Sequence, residues 1–414
     1  MSPRFHAVIL AAGLSSRMGG FKPLLPLGGE TLLSRAAGLF REAGVTEITA
    51  VAGHRADETL AEAGRLGLAG IVNPDFAEGM FTSARAGLAA VPDGVDAVFV
   101  LPVDIPLVRP ATVRRLMERF AGADRTRALT PSFGSGAEPG HPPLIPAGLV
   151  PDILAWQGAG GLRGALEGLA AKSGRPPAEA LELVPVADRN ILFDLDHPDD
   201  YQEAIRRWQR RGVPTPEEAE ALLDLQEVPA KGRAHARAVA EAALACARAL
   251  EAAAARPDDA KEVAGDAALA DLPPDSGLDH ELILVSGLLH DIAKGQPRHE
   301  RAGGRLLDDM GFFSAARIVG AHRDIAPEDA PRITERELVY FADKLVRCDR
   351  FVGVARRFQE KLDLFAGDAE ATAAISRRRA NALDMQRRIE AAAGRDVASI
   401  LAEVMDVSEA GPCA

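Results

Sequence analysis

Along the first half of the chain, short apolar runs alternate with amphipathic stretches, which is typical of a mostly parallel sheet covered by helices. The run Ala97–Val103 is apolar at nearly every position, as expected for a central strand buried on both faces. Helical spacing over Met80–Ala90 and a first-turn proline at Pro110 place helices between the runs. The predicted strands are His6–Ala12, Glu47–Gly53, Gly70–Asn73, Ala97–Val103, Ala128–Pro131, Leu181–Val186 and Ile191–Leu195.

The second half has helical spacing only, and no strand is predicted beyond Gly232. The predicted helices are Ala234–Arg256, Glu281–Ala293, Arg301–Met310, Ala315–Ala321, Glu335–Phe358 and Asp368–Ala393. Between the halves, basic residues, prolines and an acidic patch predict a hinge. We therefore expect a three-layer, Rossmann-like α/β domain followed by an all-α domain. The expected boundaries are 1–211 for the α/β domain, 212–230 for a linker, 231–362 for the helical domain and 363–414 for a helical extension.

Composition and charge narrow the classes of protein. A chain of 414 residues is long enough for two domains, and 47% hydrophobic with 26% charged residues is typical of a globular protein. The net charge of -12 repels polyanions, so a nucleic-acid partner is not expected. The run Ala7–Leu14 is too short for a signal peptide or a membrane span, and no membrane partner is expected. Three widely spaced cysteines favour a reducing compartment, which predicts a cytoplasmic location.

A glycine-rich loop follows the first predicted strand, from Gly13 to Lys22. Glycines allow consecutive backbone N–H groups to face phosphate oxygens, and Arg17 and Lys22 add positive charge. The loop is not a Walker A motif, because Pro23 follows the lysine where that motif has Ser or Thr. The loop predicts a phosphate-binding site; an ordinary glycine turn is the alternative.

Carboxylates are predicted at the same edge of the sheet. Asp104 directly follows the strand that ends at Val103, and Asp194 and Asp196 lie where the last predicted strand ends. Open α/β sheets bind ligands at the carboxyl ends of their strands, and carboxylates there can hold Mg²⁺ against a triphosphate. For Asp104 taken alone, the alternative is a surface turn before Pro106. Asp199 and Asp200 are interpreted as first-turn acids of the next helix.

In roughly its first half, the sequence resembles the MobA-like nucleotidyltransferases, and among them the molybdenum cofactor cytidylyltransferases. The resemblance rests on Leu10-Ala-Ala-Gly-Leu-Ser-Ser-Arg-Met-Gly19, Lys22-Pro-Leu-Leu-Pro-Leu27, Asn73-Pro-Asp-Phe-Ala-Glu-Gly-Met80 with Ser83, Gly140-His-Pro142, and Asp194-Leu-Asp-His-Pro-Asp-Asp-Tyr201. These blocks stand in the order that the family has.

The resemblance implies a function and a set of site residues. CTP would donate CMP to the terminal phosphate of molybdopterin, with Mg²⁺ held by Asp104 and by Asp194 or Asp196, and with His141 near the acceptor. Arg17, Lys22 and Asp104 would be catalytic. The implied nucleotide-binding residues are Leu10, Ala11, Ala12, Gly13, Ser15, Arg17, Lys22, Asn73, Gly79, Ser83 and Asp104.

Two positions depart from the family pattern, and the first of them leaves the base and the acceptor open. Val103-Asp-Ile-Pro106 stands where relatives often have Gly-Asp-Gln-Pro, and Ala84 replaces a usual leucine. GTP in place of CTP, and a sugar or alditol phosphate in place of molybdopterin, therefore remain alternatives.

Histidines and aspartates in the second half form a second candidate site. His290 and Asp291 close an apolar helix, where two buried polar groups are costly without a compensating ion. His280 has no partner in register and is interpreted as structural. Nitrogen and oxygen ligands favour Fe, Mn, Zn or Mg over a thiolate-bound metal. The candidate metal ligands are His235, His290, Asp291, His299, His322 and Asp343.

From about Val228 to Arg357, this pattern resembles the HD superfamily of metal-dependent phosphohydrolases. The likeness implies one or two divalent metals bridged by Asp291, and a phosphate held by Lys294. The substrate stays open. A noncatalytic sensor, or a docking module for partner molybdoenzymes, is the alternative for this domain.

Overall fold

The computed structural model describes residues 2–122, 126–176, 179–255, 277–326, 330 and 332–405. The chain divides into two compact units, Met1–Arg211 and Gly212–Ala414. Each unit has its own apolar core.

The first unit is built on a seven-stranded sheet with the order β5-β4-β1-β6-β8-β7-β9. Strand β8 runs antiparallel to both of its neighbours, and the other neighbouring strands are paired in parallel. The strands of this unit are β1 (Phe5–Ala11), β2 (Pro26–Leu27), β3 (Glu30–Thr31), β4 (Glu47–Ala52), β5 (Ala69–Val72), β6 (Ala97–Pro102), β7 (Ala128–Phe133), β8 (Leu144–Pro146) and β9 (Leu181–Val186). Strands β2 and β3 form a separate hairpin.

Helices cover both faces of this sheet, which gives the predicted three-layer α/β architecture. They are α1 (Leu32–Ala43), α2 (Ala56–Arg65), α3 (Met80–Ala89), α4 (Pro110–Ala121), α5 (Val150–Leu154), α6 (Gly161–Lys172) and α7 (Pro198–Gln209). Successive side chains of a strand point to opposite faces, so Ile9 packs with α1 and α4 while Val8 packs with α3 and α6. Since β1 and β6 are parallel neighbours, their carboxyl ends meet at one edge of the sheet.

Two parts of the sheet differ from the sequence prediction. The predicted strand Ile191–Leu195 is wrong: Arg189–Leu192 forms a 3₁₀ helix, and the backbone N–H of Leu195 bonds to Asp104 O at 2.9 Å rather than to a strand. The Asp188 side chain starts this turn by accepting from the N–H of Asn190. Strand β8 was not predicted, because it has three residues and follows two prolines.

Gly87 fixes how closely α3 approaches the sheet. A Cβ built there would lie 2.2 Å from Val8 Cγ1 and 3.0 Å from Val51 Cγ2. Gly87→Ala is expected to lower the free energy of unfolding of the first unit by about 1–3 kcal/mol, because the helix and the sheet must move apart. Gly64→Ala in α2 is the matched control; its Cβ would meet nothing within 4 Å, and it should raise stability by about 1 kcal/mol or less. Urea unfolding followed by circular dichroism measures both, and equal effects would contradict this packing.

The described part of the second unit is helical apart from a short hairpin. Its helices are α8 (Pro216–Leu225), α9 (Ala230–Ala254), α10 (His280–Leu289), α11 (His299–Asp309), α12 (Phe313–Ala321), α13 (Glu335–Leu345), α14 (Val354–Leu364), α15 (Ala369–Ala393) and α16 (Val397–Leu401). The hairpin strands are β10 (Val346–Arg347) and β11 (Arg350–Phe351). They interrupt the single helix predicted over Glu335–Phe358, and the chain re-enters a helix after Gly353, whose φ is +72°.

Two segments pack against the helical domain, although the predicted boundaries place them outside it. Where a linker is expected, α8 begins with a capping box between Thr215 and Glu218, and it contacts α10. Where an extension is expected, α15 packs on α9 and contributes Met385 and Ile389 to the core of the unit. Residues 406–414 of the predicted extension lie outside the described residues.

Helices α9 and α10 pack very closely. A Cβ at Gly287 would lie 2.6 Å from Ala240 Cα, so a glycine on one helix and alanines on the other allow this approach. The contact brings the histidines of both helices together.

Among the described residues, none of the helices combines the length and the apolar character required to cross a bilayer. Cys246 is a buried free thiol.

Candidate functional site

A cavity of about 340 Å³ opens in the first unit where β1 and β6 end. It is lined by Leu10, Ala12, Gly13, Leu14, Ser15, Ser16, Arg17, Lys22, Pro23, Phe76, Ala77, Gly79, Met80, Ser83, Pro102, Val103, Asp104 and Asp196. The glycine-rich loop and a carboxylate that follows β6 therefore share one space.

The loop after β1 is shaped by local backbone conformation. Ser15 has φ +53° and Gly19 has φ +71°, so the chain reverses within a few residues. The Ser15 hydroxyl accepts a hydrogen bond from the Lys22 N–H at 3.0 Å and closes the loop. A Cβ at Gly13 would meet nothing within 4 Å, so the backbone there is open to a ligand. This arrangement suits phosphate oxygens.

Lys22 lies between two carboxylates. Its Nζ is 3.0 Å from Asp104 Oδ2 and 3.3 Å from Asp196 Oδ1, although these residues are 82 and 174 positions away in the chain. One cation and two carboxylates thus meet beside the glycine loop. Carboxylate oxygens are the ligands that Mg²⁺ prefers, and the ion would sit where a triphosphate enters.

Asp196 is held in place by its neighbours. The Asp200 carboxylate accepts from the backbone N–H groups of Asp196 and His197 at 3.0 and 2.7 Å, which confirms Asp200 as a first-turn acid of α7. Asp194 is not among the residues that line the cavity. Burial, followed by the charge of Asp196, raises the pKa of Asp194. Of the two aspartates, Asp196 is therefore the better candidate ligand.

His141 lies in a buried loop that is bonded to neighbouring elements. Its N–H donates to Ile191 O at 2.9 Å, and the Thr130 hydroxyl donates to Gly140 O at 2.6 Å. Burial lowers the pKa of His141, and its Nδ1 has no hydrogen-bond partner among the described residues. His141 does not line the cavity, although Asp104 is near enough to raise its pKa in opposition to burial.

In the second unit, the predicted histidines and aspartates form one cluster. His235 lies on α9, His290 and His322 end α10 and α12, and His299 begins α11. Asp343 Oδ1 lies 3.3 Å from His235 Nε2 and 3.8 Å from His290 Nε2. Asp291 Oδ1 lies 3.3 Å from His299 Nε2 and 3.8 Å from His322 Nε2. Two groups of three side chains can each hold a metal ion. The first is His235, His290 and Asp291, and the second is Asp291, His299 and His322. Asp291 is common to both.

Backbone carbonyls orient three of the imidazoles. The Nδ1 atoms of His235, His290 and His322 are 2.9, 2.8 and 2.7 Å from the carbonyl oxygens of Cys348, Gly287 and Val319. A carbonyl oxygen only accepts, so Nδ1 carries the proton and Nε2 carries a lone pair. In neutral imidazoles, each Nε2 therefore faces carboxylate oxygens that also carry lone pairs. A cation between them turns this repulsion into ligation.

The protonation states fit a metal centre. Burial lowers the pKa of His290 to about 4, and its Nε2 has no hydrogen-bond partner among the described residues. Burial acts to raise the pKa of Asp343, but Lys344 and Arg357 hold it well below its usual range. The pKa of Asp291 is likewise lowered to about 2 against the effect of burial, first by the charge of His290 and then by Lys294, whose Nζ lies 2.5 Å away. Near neutral pH, His290 and His322 thus offer neutral imidazoles, and Asp291 and Asp343 offer ionised carboxylates.

Comparison with protein families decides the identity of both units. The model of the MobA-like NTP transferase domain matches residues 7–174, and that of the HD domain matches residues 232–348. The chain contains a MobA-like NTP transferase domain and an HD domain. The MobA-like domain is a nucleotidyltransferase domain, and its two-carboxylate cavity and the HD cluster are separate candidate sites.

Individual relatives resemble the MobA-like domain. The chain is 35% identical to nicotine blue oxidoreductase of Paenarthrobacter nicotinovorans over 154 residues, which cover 36% of this chain and 75% of that protein. It is 29% identical to the molybdenum cofactor cytidylyltransferase of Escherichia coli over 203 residues, 49% of this chain and 95% of that protein. It is 37% identical to the molybdenum cofactor guanylyltransferase of Xanthomonas euvesicatoria over 115 residues, 27% of this chain and 52% of that protein.

The MobA-like cavity contains most, but not all, of the predicted nucleotide-binding residues. Ala11 is fully buried in β1 and does not line it. Asn73 lies behind it, where its amide donates to the hydroxyls of Thr82 and Ser83, both at 2.9 Å, and so positions the start of α3. Sequence reasoning missed Leu14 and Met80, which line the cavity with exposures of 55% and 61%. Apolar residues beside a glycine loop were the available signal.

Proposed function

We propose that the MobA-like domain transfers CMP from CTP to a molybdopterin cofactor and releases pyrophosphate. The observation that carries the proposal is the meeting of Asp104, Asp196 and Lys22 beneath the Gly13 loop. The likeness to a named cytidylyltransferase over 95% of that relative's length supports the choice of nucleotide and acceptor.

The chain's own residues do the binding and positioning. Loop N–H groups and Arg17 hold the triphosphate, while Lys22 neutralises charge beside it. A phosphate oxygen of molybdopterin bonds to the α-phosphorus of CTP, and the bond from that phosphorus to the β-phosphate oxygen breaks. Asp104 and Asp196 would hold Mg²⁺, which supplies charge neutralisation for the departing pyrophosphate. Catalysis then rests on orientation and electrostatics.

Pyrophosphate release tests this proposal directly. The purified full chain is supplied with Mg²⁺ and with CTP or GTP, each with molybdopterin or with a sugar phosphate as acceptor. The expected result is release with CTP and molybdopterin at least about tenfold above every other pair. Preference for GTP would match the guanylyltransferase relative. Release that requires a sugar or alditol phosphate would overturn the acceptor, and no release with any pair would contradict the proposed transfer.

For the HD domain, we propose metal-dependent hydrolysis of a phosphate ester. The observation that carries this is the pair of histidine and aspartate groups that share Asp291. His235, His290, His299, His322, Asp291 and Asp343 would hold one or two Fe, Mn or Zn ions, which activate water and polarise the ester when bound. Lys294, with its ammonium group beside Asp291, would hold the phosphate.

Hydrolysis by the full chain separates an enzyme from a sensor or a docking module. The protein is stripped of metal, loaded with Mn²⁺, Fe²⁺, Zn²⁺ or Mg²⁺ in turn, and assayed with p-nitrophenyl phosphate and a panel of nucleotides. Phosphate release that depends on the metal and is lost in His290→Ala is expected. If no metal supports release, the cluster serves as a sensor or docks a molybdoenzyme.

A further inference from the structure

A second cavity, of about 540 Å³, adjoins the HD cluster. His235, a candidate metal ligand, lines it, as do Lys294 and Arg357, each of which is paired with a carboxylate of the cluster. The cavity therefore opens directly on the place where a phosphate ester would react. Its volume exceeds what a single phosphate group fills.

The wall of this cavity is strongly basic. Five of its lining residues are cationic, namely Lys231, Lys294, Arg347, Arg357 and Lys361, and one, Glu360, is acidic. In a chain with a net charge of -12, this is a local reversal of sign. Such a surface concentrates anions against the field of the whole protein.

Not all of this positive charge is matched by carboxylates. Lys294, Arg347 and Arg357 pair with Asp291, Glu360 and Asp343. Lys361 makes no ion pair with a carboxylate among the described residues, and its ammonium contacts the Phe358 ring instead. The buried Nε of Arg357 also has no acceptor there. Lys361 therefore lacks a carboxylate partner in the described part of the chain, and Arg357 keeps one N–H free for a further acceptor.

Other cationic side chains surround Lys361 in the cavity. Burial, followed by the charges of Arg357 and Lys344, lowers the pKa of Lys361. Lys361 is solvent-exposed at the mouth of the cavity, and the neighbouring cations repel its ammonium group. An anionic ligand relieves this repulsion.

We propose that this cavity binds a second phosphate group of the HD substrate, so that the substrate is a phosphate ester with two phosphate groups. One phosphate lies at the metal cluster with Lys294, and the other lies against Lys361 and Arg357. The placement of the first phosphate, which reacts at the metal cluster, rests on the phosphohydrolase function proposed above. The recognition of the second phosphate stands on the cavity alone.

Inert phosphonates test the recognition without relying on turnover. Isothermal titration calorimetry on the manganese-loaded full chain compares butane-1,4-diphosphonate with butylphosphonate, whose P–C bonds a hydrolase does not cleave. We expect the diphosphonate to bind at least about tenfold more tightly, because its second anion reaches the cations of the cavity. Equal affinity for the two probes, repeated with ethane and hexane spacers, would overturn the proposal.

Variants assign the effect to this cavity. In Lys361→Gln, the ratio of the two dissociation constants is expected to fall below about threefold. Lys361→Arg keeps the charge and should keep the ratio, as should Lys172→Gln, an exposed lysine of α6. Any phosphonate that binds in the MobA-like cavity binds equally in all of these proteins, because none of the substitutions lies there. An unchanged ratio in Lys361→Gln would contradict the assignment.

The two proposals fail separately. If p-nitrophenyl phosphate is not hydrolysed with any metal but the diphosphonate preference depends on Lys361, the HD domain is a sensor for a ligand with two phosphate groups. If hydrolysis occurs and the preference is missing, the phosphohydrolase proposal stands and the second phosphate site is wrong.

Discussion

Asp104→Asn is expected to lower nucleotidyl transfer by about a thousandfold, the largest effect we predict for the MobA-like domain. The substitution removes a charge that would hold Mg²⁺ against the triphosphate, and loss of one group that stabilises developing charge costs about 10²–10³ in kcat. Steady-state pyrophosphate release with CTP and molybdopterin at saturating Mg²⁺ measures it.

The fold should survive this change. The backbone carbonyl of Asp104, which accepts from Leu195 N, is unaltered, and the Asp104 side chain is partly exposed. Asp152→Asn is a matched control: the same chemical change at an exposed position in the first turn of α5, away from the cavity. It should keep full activity. Transfer by Asp104→Asn within tenfold of the unsubstituted protein, with an unchanged circular dichroism spectrum, would remove Asp104 from the mechanism.

His290→Ala is expected to weaken metal binding by the HD domain at least about a hundredfold. His290 is fully buried, its Nε2 faces Asp291 and Asp343, and its ring lies 5.2 Å from that of His235 and 5.1 Å from that of His322. A hundredfold loss at metal concentrations well above Kd removes about 2.7 kcal/mol of linked stability. Metal content after dialysis and the thermal midpoint of the loaded protein measure the two effects.

A histidine on the same helix gives the matched control. His280 begins α10, is partly exposed and bonds to Glu251 at 2.8 Å, in agreement with its structural interpretation from the sequence. The His280→Ala variant should retain the metal bound by the HD cluster. Equal metal loss in both variants would mean that the effect comes from disturbance of α10 rather than from ligation.

Much of the fold follows from local patterns. The apolar run that became β6 and the helical spacing that became α3 are properties of a few adjacent residues, so a sequence suffices to find them. Strand β8 depends on pairing with β6, where Leu144 lies opposite Phe99 across 45 positions, and no local signal carries that information. The hairpin Val346–Phe351 has only two residues in each strand, which is too short to leave a strand pattern in the sequence.

Some residues of the two candidate sites can likewise be found from local sequence, and others only from the folded structure. The spacing of His290, Asp291 and Asp343 is enough to indicate a metal cluster, because these residue types are themselves unusual in apolar helices. The choice of Asp196 over Asp194, and the location of Asn73 behind Ser83, depend on which way a side chain points after folding. Lys361 carries no motif; only the cavity makes it a candidate.

Anomalous diffraction at the manganese edge, from crystals of the full chain grown with Mn²⁺ and CTP, tests the central claim most directly. The account predicts a peak bound by Asp104 and Asp196 beside the triphosphate, and one or two peaks within the cluster that shares Asp291. CTP bound with no peak at these aspartates, together with an HD cluster free of manganese, would contradict it.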